Sequence, residues 1–196
     1  MRSAWMMSAY HLDKTFTAAV LDLQEFRNAE FERCAFRSCP WSGADLSKAR
    51  FSDCTFEACD LSNTKIVGTA FRTVHFKECK LLGVRFDTCN GFLLALSFER
   101  CQLDYSTFCG LDLKGTDFGN SRLVGVDLSG ADLGAALFNS ADLTEAVFDG
   151  TKLEGADLRE TRGLIIDPER NRLKGARISM DGLPGLLVRH GLVIEG

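Results

Sequence analysis

Eight cysteines and three histidines are the residues of this 196-residue chain that most directly invite a chemical reading, as metal ligands or nucleophiles. Zinc sites set Cys two to four residues apart, with His or Cys partners. Here Cys34, Cys39, Cys54, Cys59, Cys79 and Cys101 recur at spacings of five and twenty, Cys89 keeps the same register, and only Cys109 lies outside it. That is the spacing of a repeat, so these residues are read as small buried thiols that pack like Ala or Ser, with no metal among them. Free thiols in such number fit a reducing cytoplasm. His11, His75 and His190 are scattered, and no Ser or Cys stands at a recognisable nucleophile elbow. Many Asp residues precede a Leu, but they recur because the pattern recurs, and a catalytic carboxylate pair needs no such multiplicity. The expectation is a chain that is not an enzyme and carries no cofactor.

The element that positions all these residues has a period of five. Large apolar residues stand at Phe16, Leu21, Phe26, Phe31, Phe36, Trp41, Leu46, Phe51, Phe56, Leu61, Ile66, Phe71, Phe76, Leu81 and Phe86. The phase then slips by two and resumes at Leu93, Phe98, Leu103, Phe108, Leu113 and Phe118, continuing every fifth residue to Leu158. Of the 15 Phe, only Phe92, inside the slip, misses these slots. Five is neither the 2 of a strand nor the 3.6 of a helix, so neither regular element is the unit.

Two residues before each large one stands a small one, among them Ala29, Cys34, Cys54, Thr64, Ser106, Ala131 and Ala156. Both columns point inward, and a tight corner leaves room for only one bulky group. Gly110, Gly115, Gly125, Gly130, Gly150 and Gly155 fall two residues after a central residue, where a turn favours relaxed backbone angles.

The stretch GVDLSGADLGAALFNSADLTEAVFDGTKLEGADL resembles the pentapeptide-repeat family, whose unit is written A-(D/N)-L-x-x, and the resemblance covers about residues 16 to 160. It implies an all-β solenoid: a right-handed quadrilateral β-helix with four units per turn and about seven coils. At about 4.8 Å per coil the rod is roughly 35 Å long. Three segments are expected: an N-terminal cap over 1–15, the β-helix over 16–160 with a phase break at 87–92, and a C-terminal module over 161–196.

Asn90 and Gly91 form a turn signal in the break, so Asn90, Gly91 and Phe92 are read either as a tolerated insertion or as a contact bulge. In the tail, Ser179 or Asp181 is expected to cap a short helix over 182–190, with Pro184 in its first turn and Gly191 ending it. A solenoid end must be covered. The apolar residues Leu183, Leu186, Leu187, Leu192 and Ile194 are read as a homodimer interface, against a cap that only folds back on its own coil. The tail resembles the dimerisation module of quinolone-resistance (Qnr) type proteins.

The chain is 45% hydrophobic and 26% charged with a formal net charge of −4, values that fit a folded core and argue against non-specific binding to nucleic acid or an anionic membrane. No apolar run reaches the roughly 18 residues of a membrane span. The charge is uneven: residues 97–160 hold 12 acidic and 5 basic residues. Asp112, Asp117, Asp127, Asp132, Asp142, Asp149 and Asp157 are expected to face outward as an acidic surface. The resemblance to Qnr and microcin-B-immunity proteins implies a DNA mimic that binds DNA gyrase or topoisomerase IV and protects it from quinolones or a peptide toxin. The alternative is a scaffold or regulatory protein with another protein partner.

Overall fold

The structure, a computed structural model, describes residues 9–18, 26–190 and 192. The slot at Leu21, Gly191, Ile194 and much of the expected N-terminal cap lie outside the described residues. Seven strands are present among the described residues: β1 (Tyr10–Leu12), β2 (Thr15–Thr17), β3 (Glu30–Glu32), β4 (Ala35–Arg37), β5 (Arg50–Glu57), β6 (Ala70–Lys77) and β7 (Leu96–Glu99). Every pairing is parallel, and up to the break each joins residues twenty apart, as in Tyr10↔Glu30, Glu30↔Arg50 and Arg50↔Ala70. Elsewhere the chain turns too often for long strands, and single-residue bridges carry the same ladder, as in Asp112↔Asp132↔Lys152↔Arg172. The molecule is a four-sided parallel β-solenoid. Pairing runs on to Asp157↔Arg177, so the ladder extends past residue 160 and adds to the seven coils expected.

The five-residue period follows from the corner. The amide of Ala131 donates to the carbonyl of Leu128 at 3.1 Å, closing a turn in which Gly130 has φ +67°. A type II turn requires that left-handed angle at its third residue. The same position elsewhere holds residues such as Asn28, Ser38, Ala58 and Ala135, with φ between 51° and 62°, an angle L-residues adopt at a cost of about 1 kcal/mol. The ladder bonds and core packing on both sides outweigh it.

The central residues form four columns, one per side. On the Phe36 side, Phe16, Phe36, Phe56, Phe76, Phe98, Phe118 and Phe138 stack ring on ring, with centroids 4.6–5.4 Å apart and planes within 17°. Phe36 and Phe56 are at most 1% exposed, and each such side chain contributes about 1.5–3 kcal/mol by leaving water. The small inward slot has a shared polar role. Thr69 Oγ1 donates to the carbonyl of Leu46 at 2.8 Å, Thr151 Oγ1 to Leu128 at 2.9 Å, and Cys59 Sγ to Phe36 at 3.3 Å. Each reaches the carbonyl 23 residues upstream, which explains why Cys, Ser and Thr alternate there. Asn171 fills the slot in the last coil, accepting from the Thr151 amide at 2.9 Å and donating to the carbonyls of Phe148 and Asp167.

Two expectations need correction. The inward register does not resume at Leu93, which is 61% exposed with φ +58°. Asn90 still pairs with Ala70 at a spacing of twenty, but Leu96 pairs with Val74 and Phe98 with Phe76 at twenty-two. Gly91 therefore holds the central slot with no side chain, Leu94 packs partly into the core, and the two extra residues leave the rod as a bulge. The tail helix is also shorter than expected: a 3-10 turn over Met180–Gly182, helix α1 over Pro184–Leu187, and a second 3-10 turn over Val188–His190. No side chain caps it: Ser179 makes no cap bond and Asp181 lies inside the first turn.

Candidate functional site

The seven outward aspartates lie on all four sides of the rod. Asp112 and Asp132 are paired on the Phe31 side, and Asp117 and Asp157 flank Leu137 on the Phe36 side. Asp142 sits between Arg122 and Arg162 on a third side, and Asp127 between Thr107 and Val147 on the fourth. Asp149 follows at the next corner and pairs with Arg170 at 2.7 Å. The repeat brings no more than two of them onto one face, because each advance of five residues also turns a corner.

They differ as much in burial as in position. Asp157 is 6% exposed and held bidentately by Arg159, at 2.6 and 2.9 Å, which lowers its carboxyl to about 2. The Asp132 side chain is 15% exposed and shared by Lys114 and Lys152. Asp112 is open to solvent beside Lys114. Asp117, Asp127 and Asp142 each accept a backbone N–H two residues on, at 2.8, 3.0 and 3.1 Å, which aims the carboxylates along the corner.

All five basic residues of 97–160 are consumed in ion pairs: Arg100 with Glu78 and Glu99, Lys114 with Asp112 and Asp132, Arg122 with Asp104, Lys152 with Asp132, and Arg159 with Asp157. Among the described residues, Asp117, Asp127, Asp142, Glu145, Glu154 and Glu160 have no cationic group within 4.0 Å. These six form a belt of acids outside any ion pair, with Asp142 alone flanked at longer range by Arg122 and Arg162. The three glutamates were not singled out from the sequence, since they stand outside the Asp-Leu motif, although their outward slots mark them as surface.

The break opens a groove of about 510 Å³ on one corner, lined by Thr73, Val74, His75, Gly91, Leu93–Leu96 and 112–116. Asn90 turns the chain into the bulge by accepting the Phe92 amide at 2.9 Å, and Phe92 is 67% exposed. His75 lies in solvent at the rim, 2.6 Å from the Ser97 hydroxyl.

At the C-terminal end the cap packs on its own coil. The carbonyl of Gly185 accepts the Ile166 amide, a side chain at Gly185 would strike the Leu164 carbonyl, and Leu186 packs against the core. Leu183, Leu187, Val188 and Leu192 remain 36–58% exposed. The eight cysteines are unpaired, and no group of three or more His, Cys, Asp or Glu among the described residues is placed to hold a metal ion. No helix among them is long and apolar enough to cross a membrane.

Comparison with known proteins agrees with this architecture. Solved structures of QnrB1, a plasmid-mediated fluoroquinolone resistance protein, share the fold at 18% identity. A trypsin-treated variant gives a TM-score of 0.62 over 95% of this chain and 100% of that one. The full-length form gives 0.61 over 94% and 100%. No curated protein sequence matches the chain. Family models described as a pentapeptide repeat region match residues 13–86 and 29–103, and those for pentapeptide repeats in eight copies match 97–130 and 127–162. With the ladder, the corner turns and the two inward columns all in that register, the chain belongs to the pentapeptide-repeat proteins.

Proposed function

We propose that this rod is a non-enzymatic DNA mimic that occupies the DNA-binding saddle of a type II topoisomerase, DNA gyrase or topoisomerase IV, and shields the enzyme from a quinolone or a peptide toxin. The observation that carries the reading is the charge density of the belt. From Asp117 to Glu160 the chain climbs a little over two coils, about 10 Å at the usual strand spacing. Six acids outside any ion pair over that rise give about one negative charge per 1.7 Å, the axial charge density of duplex DNA. Their spread over four sides is what a cylinder needs to resemble another cylinder. A filled core keeps the charges at fixed spacing, so association is steered by the field and weakens as salt screens it.

The resistance role named for QnrB1 supports the same direction. The partner-facing groups are Asp117, Asp127, Asp142, Glu145, Glu154 and Glu160, with Asp112 and Asp149 at the edges. A homodimer formed cap to cap through Leu183, Leu187 and Leu192 sets two belts in line and doubles the length of the mimic. A gyrase supercoiling assay with and without a fluoroquinolone tests the reading. Rescue at low protein and inhibition of the enzyme at high protein are expected, and both are lost when Asp117, Asp127, Asp142 and Glu145 become Lys. Retention of protection by that variant rules out charge mimicry. Absence of any effect from the unaltered protein leaves the scaffold role.

A further inference from the structure

We infer that the groove at the phase break is a docking site for an extended segment of a protein partner that carries a large apolar side chain next to a basic residue. The inference deepens the reading of the rod as a protein-binding module and does not depend on the partner being a topoisomerase.

Two independent features converge on this corner. The first is an opening in the ladder. Rungs join Ala70 to Asn90 and Val74 to Leu96, and between them Ala95 alone reaches across, its amide to the Phe71 carbonyl at 3.2 Å and its carbonyl to the Val74 amide at 2.9 Å. Among the described residues Arg72 and Thr73 have no bridge partner on the C-terminal side, and Asp112 bridges only forward, with Asp132. Extended segments bind where a sheet presents main chain of this kind, and alternate side chains then find pockets. The second is apolar surface of a kind that, outside the C-terminal cap, repeats nowhere else among the described residues. Phe92 and Leu93 are adjacent, 67% and 61% exposed, on a bulge held in place by Asn90. Behind them lies a groove of about 510 Å³, lined by the half-buried Leu94 and floored by the buried Val74, Leu96 and Leu113. That volume lies within the range of pockets that bury a ligand and is large enough for one or two anchoring side chains.

Charge chooses the polar half of the segment. Lys114, the cation in the lining, is already shared by Asp112 at 3.3 Å and Asp132 at 3.2 Å. The Asp112 side chain is 66% exposed, and the belt begins at Asp117, just past Thr116 at the groove's end. Arg72, next to Thr73, stands on the opposite rim, so the partner's basic residue lies toward Asp112. An acidic segment would meet Asp112 and, at the groove's end, Asp117.

The test uses the full chain and a variant with the break repaired, Gly91→Leu with Phe92 and Leu93 deleted. That deletion returns Phe98 to a spacing of twenty from Phe76, and a Cβ at Gly91 meets nothing closer than the Leu111 side chain at 3.9 Å. Random heptapeptides displayed on phage are selected on the unaltered protein and counter-selected on the variant. Enriched sequences are expected to place Leu, Phe, Tyr or Trp beside Lys or Arg. A synthetic winner should bind the unaltered protein at least about ten-fold more tightly than it binds the repaired variant, Leu93→Asp or Asp112→Lys. If the repaired variant does not fold by circular dichroism, Leu93→Asp, a change at an exposed residue, takes its place in the counter-selection. No enrichment, acidic winners, or equal binding to the variants overturns the inference. None of these results depends on the supercoiling assay, so either reading can fail alone.

Discussion

Phe76 and Phe98 stack with their ring centroids 5.4 Å apart and their planes 9° from parallel, although 22 residues separate them where the column otherwise repeats every 20. The insertion is absorbed wholly by the corner before Phe98, and the aromatic column passes it without a fault. Phe98 is 1% exposed and Phe92 is 67% exposed. Phe98→Ala is therefore expected to cost about 3–5 kcal/mol, as deletion of a buried ring does. Phe92→Ala should stay within about 0.5 kcal/mol, as surface changes do. Urea denaturation of the two variants decides it, and equal losses would mean that the bulge is packed rather than free.

The Asp157–Arg159 pair gives the fold a signature in acid. Its carboxyl is lowered to about 2, below the ordinary value of 3.8, by the two Arg159 hydrogen bonds. A group whose folded value is depressed contributes stability above its unfolded value and loses it as pH falls through the folded one. The melting temperature of Arg159→Met should lie below that of the unaltered protein by a constant amount above about pH 5, with the gap closing toward pH 2. A gap that widens on acidification would remove the pair as its source.

Thiol reactivity should sort the cysteines by column. Cys34, Cys39, Cys54, Cys59, Cys79 and Cys101 are at most 2% exposed, while Cys89 and Cys109 are half-buried. With a chromogenic disulfide reagent the folded protein should titrate two thiols, and the other six only on unfolding. Burial lifts both Cys89 and Cys109 to about 11, so their rates should rise steeply from neutral to alkaline pH. Immediate reaction of a third thiol in the folded state would show the coils opening on that timescale.

Cap-to-cap association has a cleaner variant than one at Leu186. That residue packs on its own coil, so changing it disturbs the cap itself, whereas Leu183 and Val188 are 40% and 55% exposed. Leu183→Asp with Val188→Asp should give a monomer by light scattering while the melting temperature stays within a few degrees. An unchanged dimer mass would move the interface away from α1.

Most of this rod was legible because nearly every column carries one large apolar residue per twenty. The inward Phe and Leu, the small slot and the Gly corners need only counting, and away from the break the structure places those among the described residues as counted. The slip was not legible to the residue. A run such as GFLLAL offers an apolar side chain in either phase, so counting favoured Leu93, while the ladder leaves Gly91 in the slot and turns Leu93 out. The buried role of Asn171 was hidden for another reason: an amide there meets three backbone partners, two of which, Thr151 and Phe148, come from the coil beneath. The acidic surface was half legible. Outward slots could be named, but which acids keep their charge uncompensated depends on cations reaching one coil away, as Lys152 reaches Asp132 and Arg170 reaches Asp149.

The twenty-residue rung has a consequence for how the molecule is born. Every ladder contact joins a residue to one about twenty earlier in the chain, and none waits for a distant segment. A nascent chain leaving the ribosome at about 5–20 residues per second completes one coil every one to four seconds, with the finished coil beneath as its template. Each coil can then fold on the one before it as synthesis proceeds, and Pro184–Leu187 can dock only once the Leu164 coil it covers is in place.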